Sequence, residues 1–291
     1  MPDRVKRVLV TGSSGQLGSE IVRQLRARGD APCGLDLAAA ETTDLIADLR
    51  DRRQVQQALE GIDAVIHTAA LHGRHMEQGY SREAFIRTNL LGTLSLLEGC
   101  AAAGVPKLVY TSTTSLYGHA MAHPERAVWV SEALTPVPRD IYDITKAAAE
   151  HLCRNAMEQD GLETVVLRIG RFLPEAPQVQ AFHRLYRGIG TSDGARAHLM
   201  ALDHTFRTFE VYNLAATSPC MPEDLGALFH DAPAVIRLRH PAYAAAFEAQ
   251  GWTLPARIDR VYDSSKAARE LGFTAEEDAM RLMERLAAMP G

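Results

Sequence analysis

The sequence predicts an α/β fold, with a doubly wound parallel sheet followed by a small, mostly helical C-terminal lobe. Strand-like and helix-like segments alternate through the first 170 residues, and a glycine-rich turn joins the first strand to the first helix. After Gly170 the alternation weakens and helical patterns dominate. We therefore expect a main domain over 1–170 and a substrate lobe over 171–291, with a strand near 210–214 returning to the main domain.

Hydrophobic periodicity places the elements in order. Strands are expected at 7–10, 32–36, 45–46, 63–67, 107–111 and 164–169. Helices are expected at 16–28, 51–60, 81–103 and 139–159, and in the tail near 193–203, 222–230, 264–271 and 276–288. A strand followed each time by a helix or loop is typical of a parallel sheet wrapped by helices.

Composition limits the partners of this chain. Its 291 residues are 46% hydrophobic and 23% charged, as in ordinary globular proteins, and the net charge of −5 argues against nucleic acid as a partner. No apolar run approaches the roughly 20 residues of a membrane span. The apolar stretch Val8–Val10 is too short for a signal-peptide core. We expect no membrane segment and a cytoplasmic location.

The cysteines and histidines do not predict a metal or redox site. Cys33, Cys100, Cys153 and Cys220 are far apart in sequence, so we expect reduced core residues. His72 and His75 are three residues apart, but their neighbours do not complete a set of ligands, and no metal is expected.

The glycine turn is the first candidate binding motif. Thr11–Gly18 reads TGSSGQLG, and its glycines at 12, 15 and 18 allow a tight turn, a close phosphate and close helix packing. Asp36 follows Gly18 by 18 residues, at the end of the second expected strand. A carboxylate there accepts the ribose hydroxyls of NAD and repels the 2′-phosphate of NADP, so we predict NAD. The alternative is a structural turn with a loop acid.

Tyr142 and Lys146 form the candidate catalytic pair. They are four residues apart in YDITK on an expected helix, so their side chains share one face. A nearby ammonium and a cationic nicotinamide would lower the tyrosine pKa, so that the phenol accepts an alcohol proton while hydride leaves carbon. The alternative is a chance pair on an exposed helix.

Hydroxyl side chains continue the strand at 107–111, at the strand end where open α/β sheets bind ligands. From these residues the chain resembles the extended short-chain dehydrogenase/reductase family, also called the NAD-dependent epimerase/dehydratase family, which has a Rossmann-type sheet. The resemblance rests on TGSSGQLG, Asp36, DL at 48–49, HTAA at 67–70, Asn89, TSTTSLYG at 111–118, YDITK at 142–146 and LRIGR at 167–171. Later segments, EVYNLAA at 210–216 and YDSSKAARELGF at 262–273, extend it to the tail.

The resemblance implies roles for individual residues. Thr113, four residues before Tyr117 and a threonine where serine is commoner, would bind the reacting oxygen, Tyr142 would transfer the proton, and Lys146 would hold the nicotinamide ribose. The residues expected to bind the cofactor are Gly12, Ser14, Gly15, Gln16, Leu17, Gly18, Asp36, Asp48, Leu49, Ala69, Ala70, Asn89 and Lys146. The alternatives are a helix N-terminal acid for Asp48, a packing residue for Leu49 and a helix-capping residue for Asn89.

The C-terminal lobe bears on the substrate. Arg171 and Ser192 are only 21 positions apart, where nucleotide-sugar epimerases carry a longer insertion, so a full nucleotide-sugar site is not expected. RIGRFLPEAP at 168–177 resembles the uronate dehydrogenase branch, which suggests Arg171 as a carboxylate partner, with a solvated charge as the alternative. The residues expected to contact substrate are His72, Arg74, His75, Thr113 and Arg171.

We therefore expect an NAD-dependent oxidoreductase that removes hydride from a hydroxyl of a sugar, sugar acid or similar small polyol. One alternative is a nucleotide-sugar epimerase or dehydratase that retains its NAD. Another is a non-catalytic NAD-sensing protein. The helix expected over 81–103 is of a kind that pairs in homodimers among relatives, and burial within its own subunit is the alternative.

Overall fold

A computed structural model of the chain describes residues 6–288. They contain a seven-stranded sheet flanked by helices and a separate two-stranded sheet. The described backbone forms two compact units, the first made of 6–116, 138–168 and 194–211, and the second of 117–137, 169–193 and 212–288. The chain thus passes between the units several times.

The elements of the large sheet confirm the expected alternation. The strands are β1 (Arg7–Thr11), β2 (Ala31–Asp36), β3 (Leu45–Ile46), β4 (Ala64–His67), β5 (Lys107–Thr113), β7 (Glu163–Ile169) and β8 (Glu210–Leu214). The helices among them are α1 (Gln16–Arg28), α2 (Arg52–Ala58), α3 (Gly73–Glu77), α4 (Arg82–Phe85), α5 (Gly92–Ala103), α6 (Ile141–Asp160) and α8 (Thr191–Asp203). The predicted bounds of α1 agree with the structure at both ends.

Strand order explains where a ligand can bind. The order is β3-β2-β1-β4-β5-β7-β8, and the pairs β1–β2, β2–β3, β1–β4 and β4–β5 are parallel. The chain moves outward from β1 to β3 and then returns to the other side of β1, so the strand order reverses there. This confirms the predicted fold class, and the reversal is the point at which such sheets bind ligands beyond the strands' carboxyl ends.

Two expected elements differ from their predicted form. The helix expected over 81–103 is divided by a π-helical segment at Ile86–Leu91, which contains Asn89. A π turn holds an extra residue, which periodicity cannot reveal and which commonly marks a functional position. The strand expected over 107–111 continues through Thr113, so this threonine lies on the strand.

The second unit holds elements that the sequence pattern partly missed. They are β6 (Val128–Val130), α7 (Pro177–Tyr186), α9 (Leu225–His230), α10 (Ala232–Arg239), α11 (Pro241–Ala249), β9 (Arg260–Tyr262), α12 (Ser265–Leu271) and α13 (Ala279–Ala287). Pro177 is the first residue of α7, where a missing backbone N–H costs no hydrogen bond. The parallel pair β6–β9 was missed because strands of three residues show little periodicity.

Each unit has its own hydrophobic core. In the first, Leu9, Val65 and Leu108 from adjacent strands pack with residues of α2, α5 and α6. In the second, Leu185, Tyr243 and Phe247 are among the buried residues. The four cysteines are free thiols, and Cys33 alone of them is partly exposed. No helix within residues 6–288 is both long and apolar enough to cross a membrane.

Candidate active site

The turn between β1 and α1 forms a backbone cradle. Gly12 has a φ of +76°, and a Cβ on it would lie 2.7 Å from the backbone nitrogen of Ala69. A Cβ on Gly18 would lie 2.1 Å from the carbonyl oxygen of Gly12. Gly15 is the exposed N-cap residue of α1 and places no side chain over the helix N–H groups. The free N–H groups at this helix end are therefore accessible to an anion.

Asp36 lies beside this cradle, at the end of β2. Its Oδ2 accepts a hydrogen bond from the Ser14 nitrogen at 3.0 Å, and its Oδ1 accepts from the nitrogens of Leu37 at 2.7 Å and Ala38 at 3.2 Å. Three backbone donors thus fix the carboxylate next to the turn. This position suits an acceptor for ribose hydroxyls.

Among the other residues expected to bind the cofactor, Leu17 and Gly18 are buried under the turn, whereas Ser14 and Gln16 are exposed. Asp48 forms a bidentate ion pair with Arg50, whose hydrogen bonds hold the pKa of Asp48 below its usual value. Leu49 is buried in the core of the first unit, a packing position that the sequence left open as an alternative.

A buried chain of hydrogen bonds runs behind the turn. The Thr11 hydroxyl contacts Nδ1 of His67 at 2.7 Å, and Nε2 of His67 contacts the Thr93 hydroxyl at 2.9 Å. Burial, with a smaller effect of the Lys146 charge, lowers the pKa of His67 to about 3. The imidazole is therefore neutral at physiological pH and links β1, β4 and α5.

Asn89 connects the π segment to the loop after β4, which carries Ala69 and Ala70. Its Oδ1 accepts from the Leu71 nitrogen at 2.7 Å, and its Nδ2 donates to the Leu71 carbonyl at 2.8 Å and to the Thr145 hydroxyl at 3.1 Å. The side chain thereby ties this loop to the helix that carries Tyr142.

The structure brings Thr113 and Tyr142 together although they are 29 residues apart in sequence. Thr113 is the last residue of β5, and Tyr142 lies in the first turn of α6, which Asp140 caps by accepting from the Asp143 nitrogen at 3.0 Å. Burial raises the pKa of Tyr142 to about 12, and a hydrogen bond to Thr113 opposes this rise. Without a further positive charge the phenol therefore keeps its proton at neutral pH.

Lys146 lies one turn beyond Tyr142 and is buried. Its Nζ donates to the Thr111 carbonyl at 2.6 Å and lies 4.2 Å from the centre of the Tyr110 ring. Burial lowers the pKa of Lys146 to about 7, so both charge states are populated near neutral pH. The ammonium is thus anchored to the strand that ends in Thr113.

Comparison with known proteins identifies the family. Residues 8–181 match the model of the NAD dependent epimerase/dehydratase family, which is more than half of the chain. The chain belongs to this family. The expected family, fold and NAD dependence are thereby confirmed.

The relatives of this epimerase/dehydratase family member carry names of different activities. This chain is 32% identical over 183 residues to the human decarboxylating sterol-4-alpha-carboxylate 3-dehydrogenase, a match of 61% of this chain and 48% of that protein. A short-chain dehydrogenase/reductase superfamily protein from Agrobacterium tumefaciens, solved with NAD, aligns with a TM-score of 0.73 over 97% of this chain and 96% of that one, at 22% identity. The Thermus thermophilus UDP-glucose 4-epimerase with NAD aligns with a TM-score of 0.69 at 25% identity, over 98% and 100%.

This chain covers a smaller share of the curated relatives than of the solved structures. The chain covers between 40% and 49% of the first five curated relatives that it matches, whereas it covers 96% to 100% of the epimerase-type chains of known structure. A position in the epimerase/dehydratase family therefore leaves the reaction and substrate open.

The residues expected to contact substrate belong to both units, with Thr113 at the end of β5 in the first. In the first unit, His72 and His75 follow β4 with their rings in edge-to-face contact at 4.3 Å, and Arg74 between them is exposed. In the second unit, Arg171 forms an ion pair with Glu175, which also accepts from Nδ1 of His183 at 2.7 Å. Arg171 is therefore already neutralised by a carboxylate of its own chain.

Sequence reasoning missed a buried ion pair between Glu150 on α6 and Arg168 on β7. Glu150 receives hydrogen bonds from Arg168 at 2.6 and 3.0 Å and from the Ser112 hydroxyl at 2.5 Å. Glu150 is four residues beyond Lys146 and eight beyond Tyr142, so helix periodicity places all three on one face. The four-residue spacing from Tyr142 through Lys146 to Glu150 could have indicated Glu150 from the sequence.

Proposed function

We propose that this family member oxidises a hydroxyl group of a sugar, sugar acid or similar small polyol, with NAD as hydride acceptor. The observation that carries the proposal is the hydrogen-bonded pair of Thr113 and Tyr142, with Lys146 one helical turn behind, in the same unit as the glycine cradle and Asp36. Hydroxyl, phenol and ammonium in this order are suited to removing a proton from an alcohol.

The glycine cradle fits the cofactor on physical grounds. The spaces at Gly12 and Gly18 have no room for a Cβ, Gly15 leaves the helix N–H groups accessible, and Asp36 offers carboxylate oxygens for ribose hydroxyls. These residues, with Lys146 at the nicotinamide end, would hold NAD. When bound, NAD supplies a hydride acceptor and a positive charge.

The protein's own residues handle the substrate proton. The Thr113 hydroxyl orients the reacting oxygen, and Tyr142 accepts its proton. Because the pKa of Tyr142 is about 12 in the absence of NAD, the site needs positive charge to favour the phenolate at neutral pH. Lys146 supplies one such charge from the next turn of α6 when protonated, which restricts full activity to conditions that keep this amine charged.

A second candidate is an epimerase or dehydratase that retains NAD and releases no reduced cofactor. The alignment with the Thermus UDP-glucose 4-epimerase over 98% of this chain and 100% of that one favours it. The Arg171–Glu175 pair also gives no direct support to a free carboxylate as the substrate's anchor.

One assay separates these reactions. Purified protein and NAD are mixed with free uronates, aldoses, polyols, UDP-sugars and a 4-carboxysterol, and near-ultraviolet absorbance reports reduced cofactor. A rise in absorbance with a free sugar, sugar acid or polyol, lost in Tyr142→Phe while NAD binding persists, supports the proposal.

Other outcomes contradict the proposal or replace it. A rise in absorbance only with the sterol contradicts the proposed substrate class. Interconversion of a UDP-sugar with NAD retained establishes the second candidate, and NAD binding without turnover establishes a sensor. Turnover by Tyr142→Phe at the wild-type rate refutes the mechanism.

We also propose that the chain forms a homodimer through the face of the π segment and α6. Ile86, Leu91 and Ile144 are large apolar residues exposed on these adjacent elements. Burial of such side chains against a second copy would remove them from water. Sedimentation of Ile144→Glu beside the wild type tests this, since a monomeric wild type would exclude the proposal.

A further inference from the structure

The candidate catalytic residues belong to a closed ring of contacts. The Thr113 hydroxyl is hydrogen-bonded to Tyr142 and accepts from the Ser115 nitrogen at 3.1 Å. The Ser115 hydroxyl accepts from Nη2 of Arg139 at 3.1 Å, and Nε of Arg139 lies 3.3 Å from Oδ2 of Asp143. Asp143 is the residue after Tyr142, which closes the ring through the backbone.

Asp143 stands out in this ring because of its burial. None of its side chain is exposed, whereas its partner Arg139 is 39% exposed. Burying a carboxylate away from water is costly, and it raises the pKa of Asp143. The guanidinium and the backbone nitrogen of Arg139, each 3.3 Å from Oδ2, compensate this cost only in part. An apolar residue at this position of α6 would avoid the cost of burying a carboxylate, which suggests that Asp143 has a role other than packing.

The geometry gives Asp143 two effects on the tyrosine. The ring joins the end of β5 to the first turn of α6 and so keeps the Thr113 hydroxyl at the phenol. In addition, a carboxylate next to Tyr142 disfavours a second negative charge there. Burial contributes most to the raised pKa of Tyr142, the hydrogen bond to Thr113 on β5 opposes it, and the charges of Asp143 and Asp140 raise it further. Tyr110 on β5 also interacts electrostatically with Tyr142.

We propose that Asp143 is a positioning residue for Tyr142, which it holds against Thr113 through Arg139 and Ser115 and keeps protonated until a positive charge enters the site. This inference deepens the proposed function and rests on it for its catalytic meaning. In the proposed oxidation, such a residue would keep the Tyr142 phenol protonated until NAD is bound. The physical coupling between Asp143 and Tyr142 exists independently of any substrate.

The test therefore titrates Tyr142 directly, in the full chain without NAD or substrate. Phenolate absorbance at pH 11 is recorded for the wild type and for Asp143→Asn, and the signal that Tyr142→Phe removes is assigned to Tyr142. With a pKa of about 12, roughly a tenth of Tyr142 is ionised at that pH. Removal of the adjacent charge should lower this pKa by about one unit and raise the ionised fraction to about a half.

Two further variants control the experiment. Asp140→Asn makes the same charge change at the half-exposed cap, where water screens it, so we expect less than a third of the shift. Arg139→Gln removes the cation, leaves Asp143 uncompensated and should move the Tyr142 pKa in the opposite direction. This exposed variant also provides the test if Asp143→Asn does not fold.

The possible results separate the two proposals. An unchanged Tyr142 titration in Asp143→Asn, or equal shifts in Asp143→Asn and Asp140→Asn, overturns the role of Asp143 even if the enzyme oxidises a sugar. The predicted shift in a protein that turns over no substrate supports the coupling and refutes only the proposed reaction. Faster hydrogen exchange at the Ser115 nitrogen in Asp143→Asn is expected if the ring also holds Thr113 in place.

Discussion

Gly18→Ala is the sharpest test of the glycine cradle, which we propose binds NAD. The added Cβ would lie 2.1 Å from the Gly12 carbonyl oxygen, and ordinary contacts begin near 3.4 Å, so the two must separate by about 3.4 − 2.1 = 1.3 Å. Helix propensity favours alanine here by about 1 kcal/mol, whereas overpacking costs about 1–3 kcal/mol, and more when backbone must move. We expect a net loss of about 2 kcal/mol in the free energy of unfolding and at least tenfold weaker NAD binding.

Urea unfolding and calorimetric titration with NAD measure these two quantities. Gly226→Ala is the matched control, because Gly226 lies in helix α9, where the added Cβ would meet no atom within 4 Å other than its chain neighbours and the backbone of its own helix. This control should be neutral or stabilising by up to about 1 kcal/mol and should leave NAD affinity unchanged. If Gly18→Ala matched the control in both stability and affinity, the close packing of α1 on the turn would not define the cofactor site.

Two other perturbations test the site chemistry. Asp36→Asn removes the charge that repels a 2′-phosphate but retains an acceptor oxygen, so the ratio of NADP to NAD dissociation constants should fall about tenfold, and an unchanged ratio would contradict the ribose assignment. For Lys146, burial lowers the pKa to about 7 in the folded chain, and the unfolded chain with its pKa near 10.4 binds more protons above pH 7. Its contribution to stability therefore rises with pH, by about 1.5 kcal/mol between pH 7 and 8.5, and urea unfolding of wild type minus Lys146→Met should show this slope. A flat difference would mean that Lys146 stays charged when buried.

Local patterns predicted much of the fold and part of the site. Helix α1 appears with its predicted ends because its apolar spacing and flanking glycines act within one element. The glycines of the cradle, Asp36 and the Tyr142–Lys146 spacing were also visible, since each depends on residues close in sequence or on a strand end. The π turn at Asn89 was not visible, because tertiary hydrogen bonds to Leu71 and Thr145 accompany it.

Short-range periodicity and backbone sterics are sufficient to predict the alternation of strands and helices, the glycine turn and the types of residue available for chemistry. The electrostatic state of these residues depends on tertiary packing. Burial, which no local pattern reports, raises the pKa of Tyr142 and lowers that of Lys146. Tertiary packing also brings Thr113 and Asp143 into one ring of contacts, because the members of the ring lie on different elements. The pairing of Arg171 with Glu175 depends on the conformation of the loop that carries both residues. Charges and proton positions in this site are therefore properties of the packed chain.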